Sequence, residues 1–206
     1  MNVRLHYKFE FPAGLWLDEQ LHFNRYELNV YMITNCESGH DQNIALQRMK
    51  YVVQQFERSI IIDEDDHETI AKFSDLGIPV VTLPGGPWDQ LLEIALSEKF
   101  KTVCEDRLLL TDFEMTSELS GDVAYMHSME EEIGPFEDKG WWHKNDAITY
   151  TPHKDDGNVV KFEKSTPWVE LGLGFEDELD EMVDFDIEVE YNSNDTEDNE
   201  VTFTKE

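Results

Sequence analysis

Glu105 and Asp106 follow an apolar stretch, Thr102-Val103-Cys104, directly after an amphipathic run. Carboxylates set where a strand gives way to a loop are the oxygen donors that Mg²⁺ and Mn²⁺ take. In an open α/β sheet such a position faces the crevice beyond the carboxyl ends of the strands, where ligands bind. A second acidic group, Asp63-Glu64-Asp65-Asp66, closes another short apolar run. Four adjacent carboxylates repel one another, so they are solvated, metal-bound or shifted in pKa. Asp66 can also simply cap a helix beginning at His67. A third group lies between Ile133 and Asp146 and holds Glu137, Trp141, Trp142, His143 and Asp146. Its two indoles suit the C–H face of a sugar ring, or equally a plug in the core. His143 or Asp146 can accept a proton from a hydroxyl, the histidine with a pKa near neutrality.

These groups need a scaffold, and the hydrophobic pattern suggests one. Residues 28–34 are β-rich and end at Asn35; Ala45, Met49, Val52, Val53 and Phe56 then recur at helical spacing. Residues 59–62 read as a short buried strand, 67–76 as a helix closed by Gly77, and 78–83 as a third strand broken by Pro84-Gly85-Gly86-Pro87. A helix capped by Asp89 carries Leu92, Ala95 and Leu96 on one face through Phe100, and residues 102–104 read as a fourth strand. Such alternation predicts a mostly parallel sheet covered by helices on both faces, with right-handed crossovers. Ahead of it, residues 3–10 alternate apolar and polar, and Pro12-Ala13-Gly14 reads as a turn, which predicts a β appendage over residues 1–26. After Phe113 the periodicity weakens, with strands expected near 121–127, 147–151 and 159–163. The predicted α/β domain covers residues 27–175, a first half to 113 and a second from 114.

The chain has 206 residues, 40% of them apolar, with 46 acidic and 16 basic side chains and a formal charge of −30. No basic patch is visible that would release counterions from a phosphate backbone, so direct nucleic-acid binding is not expected. Residues 176–206 hold 14 acids and one Lys, a composition that predicts a disordered acidic tail. Cys36 and Cys104 are too few for a disulfide framework, and no apolar run is long enough to span a bilayer. The expected setting is cytoplasmic.

The order of these elements, with Thr34-Asn35, Asp63, Cys104-Glu105-Asp106 and Gly134-Pro135-Phe136-Glu137 to Asp146 at their ends, resembles the GT-A-fold glycosyltransferases over about residues 28–146. The resemblance implies a Rossmann-like sheet and transfer of a sugar from a nucleoside diphosphate donor to an unidentified hydroxyl acceptor. It places Thr34, Asn35, Asp63 and Asp65 around the nucleotide, Mn²⁺ or Mg²⁺ on Glu105 and Asp106, and Arg107 at a phosphate. Glu137, Trp141 and Trp142 would hold the acceptor, with Asp146 or His143 as base. Cys104 stands at the first acid of the family's D-x-D motif, and Arg107 at the last acid of its E-D-D form. Two other readings compete. Met32-Ile33-Thr34-Asn35 and Ile60-Ile61-Ile62-Asp63-Glu64-Asp65 resemble motifs of haloacid-dehalogenase-like phosphatases, whose nucleophile motif D-x-D-x-T is missing. The charge of −30 also suits a non-enzymatic acidic protein that mimics nucleic acid toward a basic partner.

Overall fold

The computed structural model describes residues 3–57, 59–126, 136, 140–149, 153–154, 160–161 and 164–179. Its first two strands, β1 (Arg4–Leu17) and β2 (Gln20–Thr34), form one long antiparallel hairpin. Asp18 and Glu19 close it, both with positive φ (50° and 60°), as a two-residue turn of matching twist requires. Then follow α1 (Gly39–Phe56), β3 (Ile60–Asp63), α2 (His67–Asp75), β4 (Val80–Leu83), α3 (Asp89–Cys104), β5 (Leu108–Ser117) and β6 (Ala124–Met126). The strands make one mixed sheet in the order β4-β3-β1-β2-β5-β6, with β1, β3 and β4 mutually parallel and β2, β5 and β6 joined antiparallel.

Side-chain parity decides which face the helices cover. Phe9, Phe11, Ala13 and Leu15 of β1 and Tyr26, Leu28, Val30 and Met32 of β2 point inward and pack with Met49, Val53 and Phe56 of α1 and Leu92, Leu96 and Phe100 of α3. The alternate positions, Arg4, Lys8, Glu10 and Arg25 among them, lie on an open face where Lys8 pairs with Glu27 at 2.7 Å and Arg25 pairs with Glu10. Among the described residues, the second face is covered at the β3–β4 edge, where Ile60, Ile62 and Val80 pack against Ile70 of α2.

The fold is therefore mixed α/β, with antiparallel pairing through most of the sheet in place of the expected parallel core. The segment read as an N-terminal appendage supplies the strand to which both β2 and β3 pair. Pro12 is tolerated inside β1 for a local reason. It shares parity with Gly14, whose N–H reaches Ser59 on the β3 side (3.1 Å), and β3 begins only there. The expected fourth strand at 102–104 is instead the last turn of α3, because Leu92, Leu96, Phe100 and Val103 continue one buried helical stripe. The strand comes after it, as β5.

Beyond β6, Phe136 and a single 3₁₀ turn at Trp141–His143 cover α3. Short pairs β7 (Ala147–Thr149) with β10 (Lys164–Thr166), and β8 (His153–Lys154) with β9 (Val160–Lys161), lead to a 3₁₀ turn at Val169–Leu171. The expected strand near 121–127 corresponds to β6. The tail from 180 onward lies outside the described residues. No helix among the described residues is long and apolar enough to cross a membrane.

Candidate functional site

The expected sugar-nucleotide constellation is divided between opposite ends of the sheet. Leu108, which starts β5, pairs with Thr34, and Arg4 pairs with Ile33, so Glu105 and Asp106 lie at the beginning of β1. Asp63 and Asp65 lie past Ile61, which pairs with Leu15 near the end of β1. The run of β1 between those positions is roughly 35 Å at the rise of an extended strand.

At the first end Arg48, Glu105 and Arg107 are all paired. Glu105 and Asp106 form the left-handed exit of α3 (φ 44° and 61°) rather than a strand terminus. The Glu105 carboxylate accepts from Arg48 (2.7 Å) and from the Asn145 side chain. Arg48 is fully buried and also donates to Glu178 (2.5 Å) and to the Leu173 carbonyl (2.9 Å), with its guanidinium 3.7 Å above the Phe175 ring. Arg107 pairs with Asp177 at 2.6 Å, and its pKa is raised by that hydrogen bond and charge against the opposing effect of burial. Asp106 is exposed and contributes its backbone carbonyl to the Asn35 side chain (2.9 Å). Thr34 Oγ1 accepts from the Val3 N–H (3.1 Å). These residues tie the segment 173–178 to the body of the protein.

Of the expected acceptor-side residues, the two tryptophans belong to the core, whereas His143 and Asp146 are exposed. Trp141 and Trp142 are buried, and their indoles donate to the carbonyls of Thr82 and Phe136 (3.0 Å each). His143 has its Nε2 2.6 Å from the same Phe136 carbonyl, and Asp146 offers its backbone carbonyl to Lys99. Burial drives the Lys99 amine down to about 7. Glu137 lies outside the described residues. Asp63 is occupied with its own loop, accepting from the Asp65 N–H (3.0 Å), while Asp66 caps α2 through the Thr69 N–H (3.1 Å). Among the described residues, no three His, Cys, Asp or Glu side chains gather as a metal-ligand set.

A different constellation lies toward the second end, where β5 finishes beside the start of α3, level with Phe11 to Ala13 of β1. Asp89 opens α3 and accepts through Oδ2 from both Ser117 (2.5 Å) and Ser120, which follow from β5 and its turn. Asn24 of β2 accepts through Oδ1 from the backbone N–H groups of Arg25 and Leu119 (3.0 and 3.1 Å). Its Nδ2, although buried, has no partner. The Tyr26 hydroxyl is also buried; it lies near Asp89 and Asn24 without reaching hydrogen-bonding geometry to either. Burial first, and the Asp89 charge second, push its pKa up. Native proteins leave few such groups, and each one calls for an explanation.

The Asp89–Ser117–Ser120 unit separates two depressions of about 410 Å³ each. One opens on the polar sheet face and is lined by Glu10, Arg25, Tyr26, Glu27, Ser117 and Glu118. The other is more apolar, walled by Leu15, Leu17, Trp88, Leu119 and Tyr125 with Asp89 and Ser120 at its polar side. Trp88 is 57% exposed, yet its indole is held by a bond to the Gly85 carbonyl (2.9 Å). The hold depends on Gly86, whose φ is 106° and where a Cβ would fall 2.9 Å from the Trp88 nitrogen. Pro84-Gly85-Gly86-Pro87, legible in the sequence only as a strand breaker, thus builds an aromatic wall. Ser117, Ser120, Tyr26 and Asn24 carried no sequence signal, because they meet only through the antiparallel pairing of β2 with β5.

No protein-family model matches the chain, and no curated protein matches its sequence. Among solved structures it is similar to 6-pyruvoyl tetrahydropterin synthase from Plasmodium vivax, with a TM-score of 0.40 and 12% identity over 62% of this chain and 97% of that one. A catalytic-residue mutant of the same enzyme gives a TM-score of 0.40 at 11% identity with the same coverage. Neither likeness bears on the site. Neither of these two structures is a glycosyltransferase. The placement of the donor and acceptor residues described above overturns the sugar-transfer reading. Neither structure supports the phosphatase or nucleic-acid-mimic reading.

Proposed function

We propose that this protein is a small-molecule-binding module whose site is the cleft between Trp88 and the Asp89–Ser117–Ser120 unit. One observation carries the reading: the exposed Trp88 indole and the Asp89 carboxylate share one cleft whose other walls, Leu15, Leu17, Leu119 and Tyr125, are largely apolar. Binding pockets combine mostly apolar walls with a few convergent polar groups, and this cleft has that composition. Its position also follows the preference of ligands for the carboxyl ends of parallel strands. The reading stops at binding, since the serine hydroxyls face a carboxylate and each other with no imidazole beside them in the described network.

Ligand-observed NMR with a library of small aromatic and aliphatic fragments tests this, using the full chain and a Gln90→Trp variant. Gln90 lines the cleft and is exposed, so the added indole fills the space without disturbing the core. The expected result is a set of fragments that bind the wild type and lose binding in the variant. Fragments that bind both proteins equally, or a library with no hits, would reject the reading.

A further inference from the structure

We infer that the ligand of this cleft is a cation, an ammonium or amidinium group on an apolar or aromatic body, with its N–H groups bonded to Asp89 and its body against Trp88. The inference rests on the reading of the cleft as a small-molecule site. Asp89 is the single charged residue among those lining the apolar depression. Both serines donate to its Oδ2, and neither engages Oδ1. The positive end of α3 already has an anion in Asp89 at its first turn, so a second anion would meet like charge.

A neutral body is disfavoured for a different reason. An apolar group closing over the cleft would strip water from Asp89, and a desolvated carboxylate is costly without a paired charge. A cation satisfies that oxygen and gains from an exposed indole. The surroundings carry the same sign. Glu118 borders the neighbouring depression alongside Glu10 and Glu27, whose charges Lys8 and Arg25 offset, and Asp63 lies beside Gly86 on the other flank.

The test is isothermal titration of the full chain with three probes of one shape: benzamidine (cation), benzamide (neutral) and benzoate (anion). Salt near 0.15 M limits the reach of surface charge to ~8 Å and suppresses nonspecific attraction. Benzamidine should bind about tenfold or more tighter than the other two, a margin of about 1.4 kcal/mol. That preference should vanish in Asp89→Asn, and Trp88→Ala should weaken benzamidine severalfold. Because Trp88 is exposed, its variant keeps the test valid should Asp89→Asn fail to fold. If benzamide or benzoate binds as tightly as benzamidine, or Asp89→Asn keeps the preference, or benzamidine is indifferent to Trp88, the cation is wrong while the cleft stands. If none of the three binds, both fall.

Discussion

The two ends of the sheet treat charged side chains differently, although each leaves a buried amide atom without a partner, Asn145 Oδ1 at one and Asn24 Nδ2 at the other. At the α3–β5 end, Arg48 is enclosed by two carboxylates, two carbonyls and two aromatic rings, and Arg107 by a carboxylate and Phe175. Interior charges survive when they are paired in this way, and such pairing fixes the position of segment 173–178. At the β4–α3 end, a carboxylate faces an apolar cleft, and two buried polar groups, the Tyr26 hydroxyl and the Asn24 amide nitrogen, lack partners. The first arrangement makes a scaffold rigid and the second prepares a site. Acidic residues that attract attention in a sequence can therefore be structural, while an unremarkable helix start holds the chemistry.

Substitutions at each end should separate the two roles. Arg48→Ala should have the largest effect, a loss of about 3–5 kcal/mol, because it leaves Glu105 and Glu178 without their cation. Urea unfolding measures it, and a red shift of Trp168 emission should accompany release of the C-terminal segment. A loss under about 1 kcal/mol would mean that end is no scaffold. Lys99, whose amine donates to the Lys144 and Asp146 carbonyls close to that end, gives a pH signature. Its native pKa is about 7 against an ordinary 10.5, so between those values the unfolded chain holds a proton that the folded chain has released. Stability should rise with pH across that window, and Lys99→Met should remove this part of the rise. Equal pH slopes in the two proteins would contradict the burial argument. Tyr26→Phe should have the smallest effect on stability, within about 1 kcal/mol of wild type and on the stabilising side, since it deletes a buried hydroxyl without a partner.

The parts of the fold that were legible are those with a strong local period. The stripe Ala45, Met49, Val52, Val53 and Phe56 predicts α1, and the apolar runs at 59–62 and 78–83 predict β3 and β4. The hairpin was hidden because Pro12-Ala13-Gly14 resembles a turn, whereas the real turn, Asp18-Glu19, lacks the glycine that usually marks one. Thr102 and Val103 favour strands locally, and only the tertiary stripe on α3 overrides them. The candidate site was not legible. Its polar residues come from β2, α3 and the β5–β6 turn, and what joins them is a register that no local pattern states.

The protein's five tryptophans supply the most direct test, because Trp88 reports the β4–α3 end and Trp168 the opposite one. Their indole N–H resonances, assigned by single Trp→Phe variants, can be followed in ¹⁵N-labelled full chain during benzamidine titration. The account predicts that the Trp88 signal shifts with saturation while that of Trp168 stays in place. A saturating shift at Trp168 with Trp88 unmoved would contradict it and return function to the end that holds Glu105.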